Sequence, residues 1–315
     1  MTEATVIVVG GGPAGSTCAW KLKEAGFETI ILDKQVFPRA KPCAGWITPR
    51  VVRDLQLDVN RYPHSLTRFN RLYYHFGSRT IPLPTRQYAI RRVEFDQWLL
   101  ERAAATLHIH AAAHIRKDGG YYIIDDAYRS TYLVGAGGTY CPVYRALFKD
   151  VNPRVEDSQI TAMEAEFPAD IIDERCHLWF FDGKLSGYSW YVPKTNGFVN
   201  IGIGGSSRDM KARGETIQQH WDMFIRKLKD LMLLGNHTIE PRGYNYYLRS
   251  NAPVVQQENA FIIGDAAGLA TKDMGEGIGP AVRSGILAAS AILHHTPYSV
   301  RSVRKLSLFD LLIPV

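Results

Sequence analysis

The chain predicts an α/β fold: a doubly wound, Rossmann-like domain into which an antiparallel sheet is inserted. Three observations carry this. A β-branched run, Val6 to Val9, passes directly into Gly10, Gly12 and Gly15 at G-x-G-x-x-G spacing and then into a helical segment, Ser16 to Ala25. A second apolar run, Thr29 to Leu32, ends in Asp33, 18 positions after Gly15. More than two hundred residues later, FIIGDAAGL (Phe261 to Leu269) and Gly275-Glu276-Gly277-Ile278-Gly279 repeat the strand, turn and helix order, so the first domain is discontinuous.

Each glycine of the first turn has its own task. Gly10 permits the sharp turn, Gly12 lets backbone approach a pyrophosphate, and Gly15 lets the helix pack against the strand. Phosphates at such a turn meet free N–H groups and the positive end of the helix dipole. Asp33 stands close to the roughly 20-residue separation at which an acid bonds the adenosine ribose hydroxyls. The small residues around Gly275–Gly279 open a helix toward Leu293 whose first N–H groups would face an anion or a polar ring edge.

Composition narrows the function classes. A length of 315 residues favours two joined lobes. Cys18, Cys43, Cys141 and Cys176 are widely spaced, without a C-x-x-C pair, which argues against a zinc site or disulfide framework and for a reduced, cytoplasmic setting. No apolar run reaches the roughly 18 residues that span a bilayer, and no signal-like segment precedes the first strand, so contact with a membrane would be peripheral. The net charge of +6 and pI near 9.0 suit an anionic substrate or an anionic membrane surface. No recognition module accompanies that charge, which disfavours nucleic acid.

After Asp33 the stretch Lys34 to Pro49 contains Pro38, Pro42 and the run Pro42-Cys43-Ala44-Gly45, so it reads as a loop that gathers Arg39, Lys41 and a thiol. Leu66 to Leu83 reads as a hairpin around Gly77-Ser78. Tyr88 to Ala105 reads as strand then helix, with Arg91 and Arg92 at the entrance and Phe95, Trp98 and Leu99 on the core face. His108 to Tyr132 is a meander whose three histidines, His108, His110 and His114, are surface or satisfied residues rather than ligands. Tyr132 to Gly138 is a strand, followed by a helix through Phe148 with Pro142 in its first turn. Residues 159 to 204 are expected as an antiparallel sheet turning at Asn196-Gly197. Gly202, Gly204 and Gly205 lack the spacing and the acid of a second nucleotide site. Glu215 to Leu234 is helical in pattern and is stopped by Gly235-Asn236.

These stretches together resemble a known family. GGGPAGS, RVEFDQWL, YLVGAGG and, above all, GDAAG followed by GEGI resemble the FAD-dependent oxidoreductases of the aromatic-hydroxylase superfamily. Within it, KPCAG and GYSWYVPK resemble the Pro-Cys-x-Gly and Tyr-x-Trp-x-Phe-Pro patterns of geranylgeranyl reductases, which saturate isoprenoid double bonds. The resemblance implies FAD as cofactor, with Gly10, Gly12, Pro13, Ala14 and Gly15 on its pyrophosphate, Asp33 and Lys34 near the adenosine ribose, and Arg92 near ribose and phosphates. It further implies Gly264 and Asp265 on the ribityl or pyrophosphate region, Gly275, Gly277 and Ile278 against the isoalloxazine, and Lys41, Cys43, Ala44, Gly45 and Gly138 around it. Trp46, Tyr188, Trp190 and Pro193 would line the substrate cavity, with Cys43, Tyr188 and Trp190 as the catalytic set. Four places depart from the pattern: Ala44 replaces a glycine, Val192 a phenylalanine, Gly137 an aspartate, and Lys272-Asp273 a proline.

The implied reaction is reduction of a carbon–carbon double bond of an isoprenoid, such as a prenyl diphosphate or prenylated lipid, with NAD(P)H or ferredoxin as electron donor. A proton donor is needed as well, and Cys43, in a loop with Arg39 and Lys41, would fill that role. A flavin monooxygenase or halogenase is the rival on this fold, although Tyr188 stands where halogenases carry a tryptophan. A flavin-containing lipid or quinone sensor that carries electrons without turnover is the rival from another class. The expected domains are 1–60, 88–158 and 250–296 for FAD, 61–87 and 159–249 for substrate, and a short apolar tail over 297–315.

Overall fold

The computed structural model describes residues 1–235, 237, 239–250 and 254–308. In chain order the elements begin β1 (Thr2–Val9), α1 (Pro13–Glu24), β2 (Thr29–Asp33), β3 (Trp46–Ile47), α2 (Pro49–Asp54), β4 (Leu66–Phe76), β5 (Arg79–Ile90) and α3 (Arg92–Ala103). Next come β6 (Thr106–Ile109), β7 (Ile115–Asp118), β8 (Tyr121–Ile124), β9 (Tyr128–Gly135), β10 (Gln159–Pro168), β11 (Cys176–Phe180), β12 (Gly187–Lys194) and β13 (Phe198–Ser206). The chain continues with α4 (Ser207–Ala212), α5 (Ile217–Asp230), β14 (Arg242–Tyr247), β15 (Gln256–Gln257), β16 (Ala260–Ile262) and α6 (Ile278–His294). Contacts divide it into two compact units, Met1–Arg39 with Val93–Val155 and Tyr247–Ser307, and Ala40–Arg92 with Glu156–Tyr246 and Leu308. Residues 40–60 and 88–92 thus cluster with the second sheet, where the sequence reading had them in the first domain.

The first unit is built on a sheet ordered β15-β16-β9-β1-β2-β6, with β8 beside β9 and β7 beside β8. β1 lies between two parallel neighbours, β2 and β9. That position buries both of its faces, which is why Val6 to Val9 is apolar at every residue instead of alternating: Val6, Ile7 and Val8 are fully buried. The strand expected from Phe261 to the Gly264-Asp265 turn is Ala260–Ile262, because Gly264 takes a positive φ and a 3₁₀ turn over Gly264–Ala267 follows. β16 pairs in parallel with β9, so the C-terminal stretch returns to the sheet that Val6 opened. α1 and α6 pack closely, since a Cβ on Gly285 would stand 2.5 Å from the Ala14 carbonyl oxygen. His110 bonds Asp125 at 2.6 Å and His108 bonds the Tyr128 hydroxyl at 3.2 Å, so two of the three meander histidines are engaged locally.

The second unit is an eight-stranded sheet ordered β14-β10-β13-β12-β11-β4-β5-β3. β10, β13, β12 and β11 pair antiparallel, and Asn196 and Gly197, both at positive φ, form the expected hairpin turn. The strands of residues 159–204 pair antiparallel as expected, and the sheet holds a parallel pair beyond them, β11 with β4. Alternation within a strand reports which face is buried and carries no information on the direction of its partner. One face is covered by α4 and α5, burying Ala165, Trp179, Tyr191, Ile201, Ile203, Trp221, Phe224 and Leu228 together. α5 starts with a capping box between Thr216 and Gln219. It ends at Asp230, before the expected stop at Gly235; the other half of that stop, Asn236, lies outside the described residues. Met232 takes a left-handed φ of 56°, its N–H bonds the Lys229 carbonyl and the Leu233 N–H bonds the Leu228 carbonyl, which is the Schellman closure.

β4 and β11 carry a histidine relay. His177 Nε2 donates to Asp173 at 3.1 Å, which leaves Nδ1 to accept from His75 Nε2 at 2.9 Å, and His75 Nδ1 then accepts from the Thr80 hydroxyl at 2.9 Å. Both rings are neutral in this arrangement. Burial first, and then the charges of His177, Lys227 and Arg175, hold His75 down at about 4. A depressed histidine adds stability above its unfolded value near 6.5 that is lost as pH falls toward 4. The melting temperature is therefore expected to drop through that window, and His75→Gln to flatten the drop; thermal melts across pH measure both. A Cβ on Gly15 would overlap the Gly10 carbonyl oxygen, so Gly15→Ala is expected to destabilise by about 3 kcal/mol or to prevent folding, as read by melting and bound flavin.

Candidate active site

In the first unit the glycine turn is assembled as its spacing requires. Gly10 has φ 115°, donates its N–H to the Leu32 carbonyl at 2.7 Å, and has no room for a Cβ beside the Ala136 carbonyl. Gly12 is the N-cap of α1, with Pro13 in the first turn and no side chain capping the end. The Arg39 guanidinium lies over this turn, 3.3 Å from where a Gly12 Cβ would stand and 3.6 Å from the buried Asp96 carboxylate. Asp33, at the end of β2, accepts from the Gly11 N–H at 2.8 Å and from the Gln35 N–H at 3.0 Å. Each oxygen keeps a lone pair, so the carboxylate is held in place yet still able to accept from a hydroxyl. Lys34 is exposed beside it.

The C-terminal stretch joins the same unit. Gly264 donates to the Ser284 hydroxyl at 2.9 Å, and a Cβ on it would meet Ala14 at 3.1 Å, so the GDAAG turn abuts the start of α1. The Asp265 carboxylate stands 3.5 Å from where a Gly277 Cβ would be, at the N-cap of α6. Gly275, at φ 60°, turns the chain into that helix, and Ile278 is buried in its first turn. The expectation that the first N–H groups of α6 face a ligand is corrected at Gly279, whose N–H is taken by the Glu276 carboxylate at 2.5 Å. Gly138, at φ 71°, opens the turn after β9. An uncapped helix end under a guanidinium, an oriented acid at the end of β2 and a second acid against a glycine backbone fit the pyrophosphate, ribose and ribityl portions of a flavin–adenine dinucleotide.

In the second unit the Pro-Cys loop and the Tyr-x-Trp strand meet. The Trp190 ring sits directly against Gly202, where a Cβ would overlap its six-membered ring. Trp46, Tyr188 and Trp190 form an aromatic trio with centroids 5.8 to 6.5 Å apart. Trp190 Nε1 donates to Asn200 Oδ1 at 2.8 Å, and Asn200 Nδ2 donates both to the Glu164 carboxylate and to the Cys43 carbonyl, the latter at 3.3 Å. Glu164 also takes a backbone hydrogen bond from Cys43. The Cys43 sulfur accepts the Gly45 N–H at 3.4 Å, and Gly45, at φ 76°, packs against the Ile90 carbonyl. Cys43 is half-buried, and Ala44 fills a buried place at this turn. Lys41 packs on the Tyr244 ring. Arg92 is buried at the first turn of α3, whereas Arg91 pairs with Glu166 at 2.9 Å.

Strand alternation corrects one assignment. Pro193 is three residues from Trp190, so it shares the opposite, helix-covered face with Tyr191 and leaves the aromatic trio. The same alternation brings in residues that motif reading missed: Lys194 on β12, Asn200 on β13, and Glu164 and Glu166 on β10 all lie on the Trp190 face. The available signal was charged or amide side chains at alternate positions of otherwise apolar strands. Lys194, fully buried, bonds Glu166 at 2.7 Å and the Ile90 carbonyl at 2.7 Å. The two carboxyls are pushed apart in acidity. Burial lifts Glu164 to about 7, against the smaller opposing pull of Asn200 and Lys194, whereas in Glu166 burial is outweighed by Lys194 and Arg91, which hold it below the usual carboxylate range.

A raised carboxyl withdraws stability as pH climbs from its unfolded value near 4.5 through its folded value near 7. Glu164→Gln removes that slope. Chemical denaturation of both proteins is expected to show the variant gaining up to about 3 kcal/mol on the wild type between pH 5 and pH 8.

A family of NAD(P)-binding Rossmann-like domains matches residues 8–72. The chain is 30% identical over 311 residues to the uncharacterized protein Mbar_A1602 of Methanosarcina barkeri, covering 93% of this chain and 75% of that protein. It is 27% identical to the geranylgeranyl diphosphate reductase of Rhodobacter capsulatus, covering 91% and 74%. The crystal structure of a geranylgeranyl bacteriochlorophyll reductase-like protein from Thermoplasma acidophilum superposes with a TM-score of 0.79 at 21% identity, covering 94% of this chain and 81% of that one. With the glycine turn, the paired acids and the joined Cys43 and Trp190 segments, these relatives show that the chain belongs to the FAD-dependent oxidoreductases of the geranylgeranyl reductase family.

Proposed function

We propose that the protein saturates carbon–carbon double bonds of an isoprenoid substrate, a prenyl diphosphate or a prenylated lipid, drawing electrons from NAD(P)H or ferredoxin. The observation that carries this reading is the junction of two distant segments, the Pro-Cys loop and the Tyr-x-Trp strand, through Asn200. Gly10, Gly12, Pro13, Ala14, Gly15 and Arg39 would hold the cofactor pyrophosphate, Asp33 the adenosine ribose, and Gly264, Asp265, Gly275, Gly277 and Ile278 the flavin end. When bound and reduced, the cofactor would supply the hydride that adds to one carbon of the alkene.

The protein supplies the rest. An isolated alkene polarises weakly, so a proton must reach the second carbon from a positioned donor, and the Cys43 thiol is the half-buried acid at the loop. The S–H bond breaks as the new C–H bond forms, and solvent returns a proton to the thiolate. Trp46, Tyr188 and Trp190 present flat, apolar surface to a prenyl chain, and Trp190 cannot rotate because Gly202 lies beneath it and Asn200 holds its N–H.

Photoreduced flavoprotein mixed anaerobically with geranylgeranyl diphosphate is expected to reoxidise and yield saturated product. Cys43→Ser should slow reoxidation by about 10²-fold with flavin content unchanged. Reoxidation by oxygen alone, with no response to any prenyl compound, would overturn the reading.

A further inference from the structure

The side-chain amide of Asn200 is committed in three directions. Its oxygen accepts the Trp190 indole N–H, and its nitrogen donates to Glu164 and to the Cys43 carbonyl. The amide cannot flip, because a flip would set an NH₂ group against the indole N–H and the amide oxygen against the Glu164 carboxyl. Glu164 closes the circuit by accepting the Cys43 backbone N–H as well. Both backbone groups of Cys43 are therefore held by one side-chain pair, on neighbouring strands at the register Glu164 to Gly202.

We propose that Glu164 and Asn200 are positioning residues that lock the Cys43 loop to the Trp190 indole, and that the strength of this lock is set by whether the Glu164 carboxyl carries its proton. The proposal deepens the reading of Cys43 as proton donor and rests on it for its consequence in turnover. Neutral Glu164 offers Asn200 and the Cys43 N–H an ordinary acceptor; ionised Glu164 offers both a charge-assisted bond, roughly twice as strong. The charged groups facing it are Glu166 on its own strand, which opposes ionisation, and Lys194 on β12, which favours it; β13 contributes the neutral Asn200 and the loop its Cys43 amide. Because burial keeps Glu164 near 7, the change falls within the physiological range.

The test reads the loop directly and needs no alkene. Cys18, Cys141 and Cys176 are fully buried, so iodoacetamide applied to the flavin-loaded protein reports on Cys43, with peptide mapping to verify the site. The ratio of the wild-type alkylation rate to that of Glu164→Gln is expected to fall about fivefold between pH 6 and pH 8, as the lock tightens in the wild type alone. Asn200→Ala should raise the rate by about tenfold at pH 8, through loss of the held carbonyl. A wild-type profile that superposes on that of Glu164→Gln overturns the proposal, and the isosteric variant decides the matter if Asn200→Ala does not fold. Should alkylation behave as expected while no prenyl compound reoxidises the flavin, the positioning role stands and the proposed reaction falls.

Discussion

The absence of a Cβ at a few glycines is the constraint on which both units depend. At Gly15 the helix meets the turn that precedes it, at Gly285 two helices meet, and at Gly202 an indole rests on a strand. In each case the contact occupies space that any other residue would fill. A nucleotide turn and an aromatic wall look unrelated chemically, yet both are built by removing side chains so that something flat or a backbone can approach.

Once Trp190 is seated on Gly202, its buried N–H must be satisfied on that sheet face. Asn200 satisfies it, and the acids on β10 follow from that choice, since a buried amide with two donors needs acceptors. Two carboxyls two residues apart on one strand face could not both ionise without compensation. Lys194 and Arg91 supply it to Glu166, whereas burial leaves Glu164 a weaker acid, raised to about 7. The separation of the two acids is thus a consequence of where two cations sit, and it gives the Cys43 loop a neighbour that changes charge near pH 7.

Among the described residues no helix is long and apolar enough to cross a membrane.

Local pattern was enough for much of this protein. The glycine spacing, the acid after the second strand, the Asn196-Gly197 hairpin and the continuous apolar run of β1 were readable because each depends on neighbours within a few residues, where backbone sterics and strand periodicity act. The parallel pairing of β11 with β4, the end of α5 at Asp230 and the turn at Gly264 were not readable, because partner direction and left-handed caps are decided by what lies across the sheet or beneath the helix. The same division runs through the candidate site. Cys43 and Trp190 stood out by motif, whereas Glu164 and Asn200 looked like ordinary polar residues in strands and acquired their roles only when register set one beside the other. The sequence by itself determined the nucleotide turn and the fold class, through local geometry; tertiary structure alone decided which buried charges face Cys43, because that depends on pairings more than one hundred residues apart.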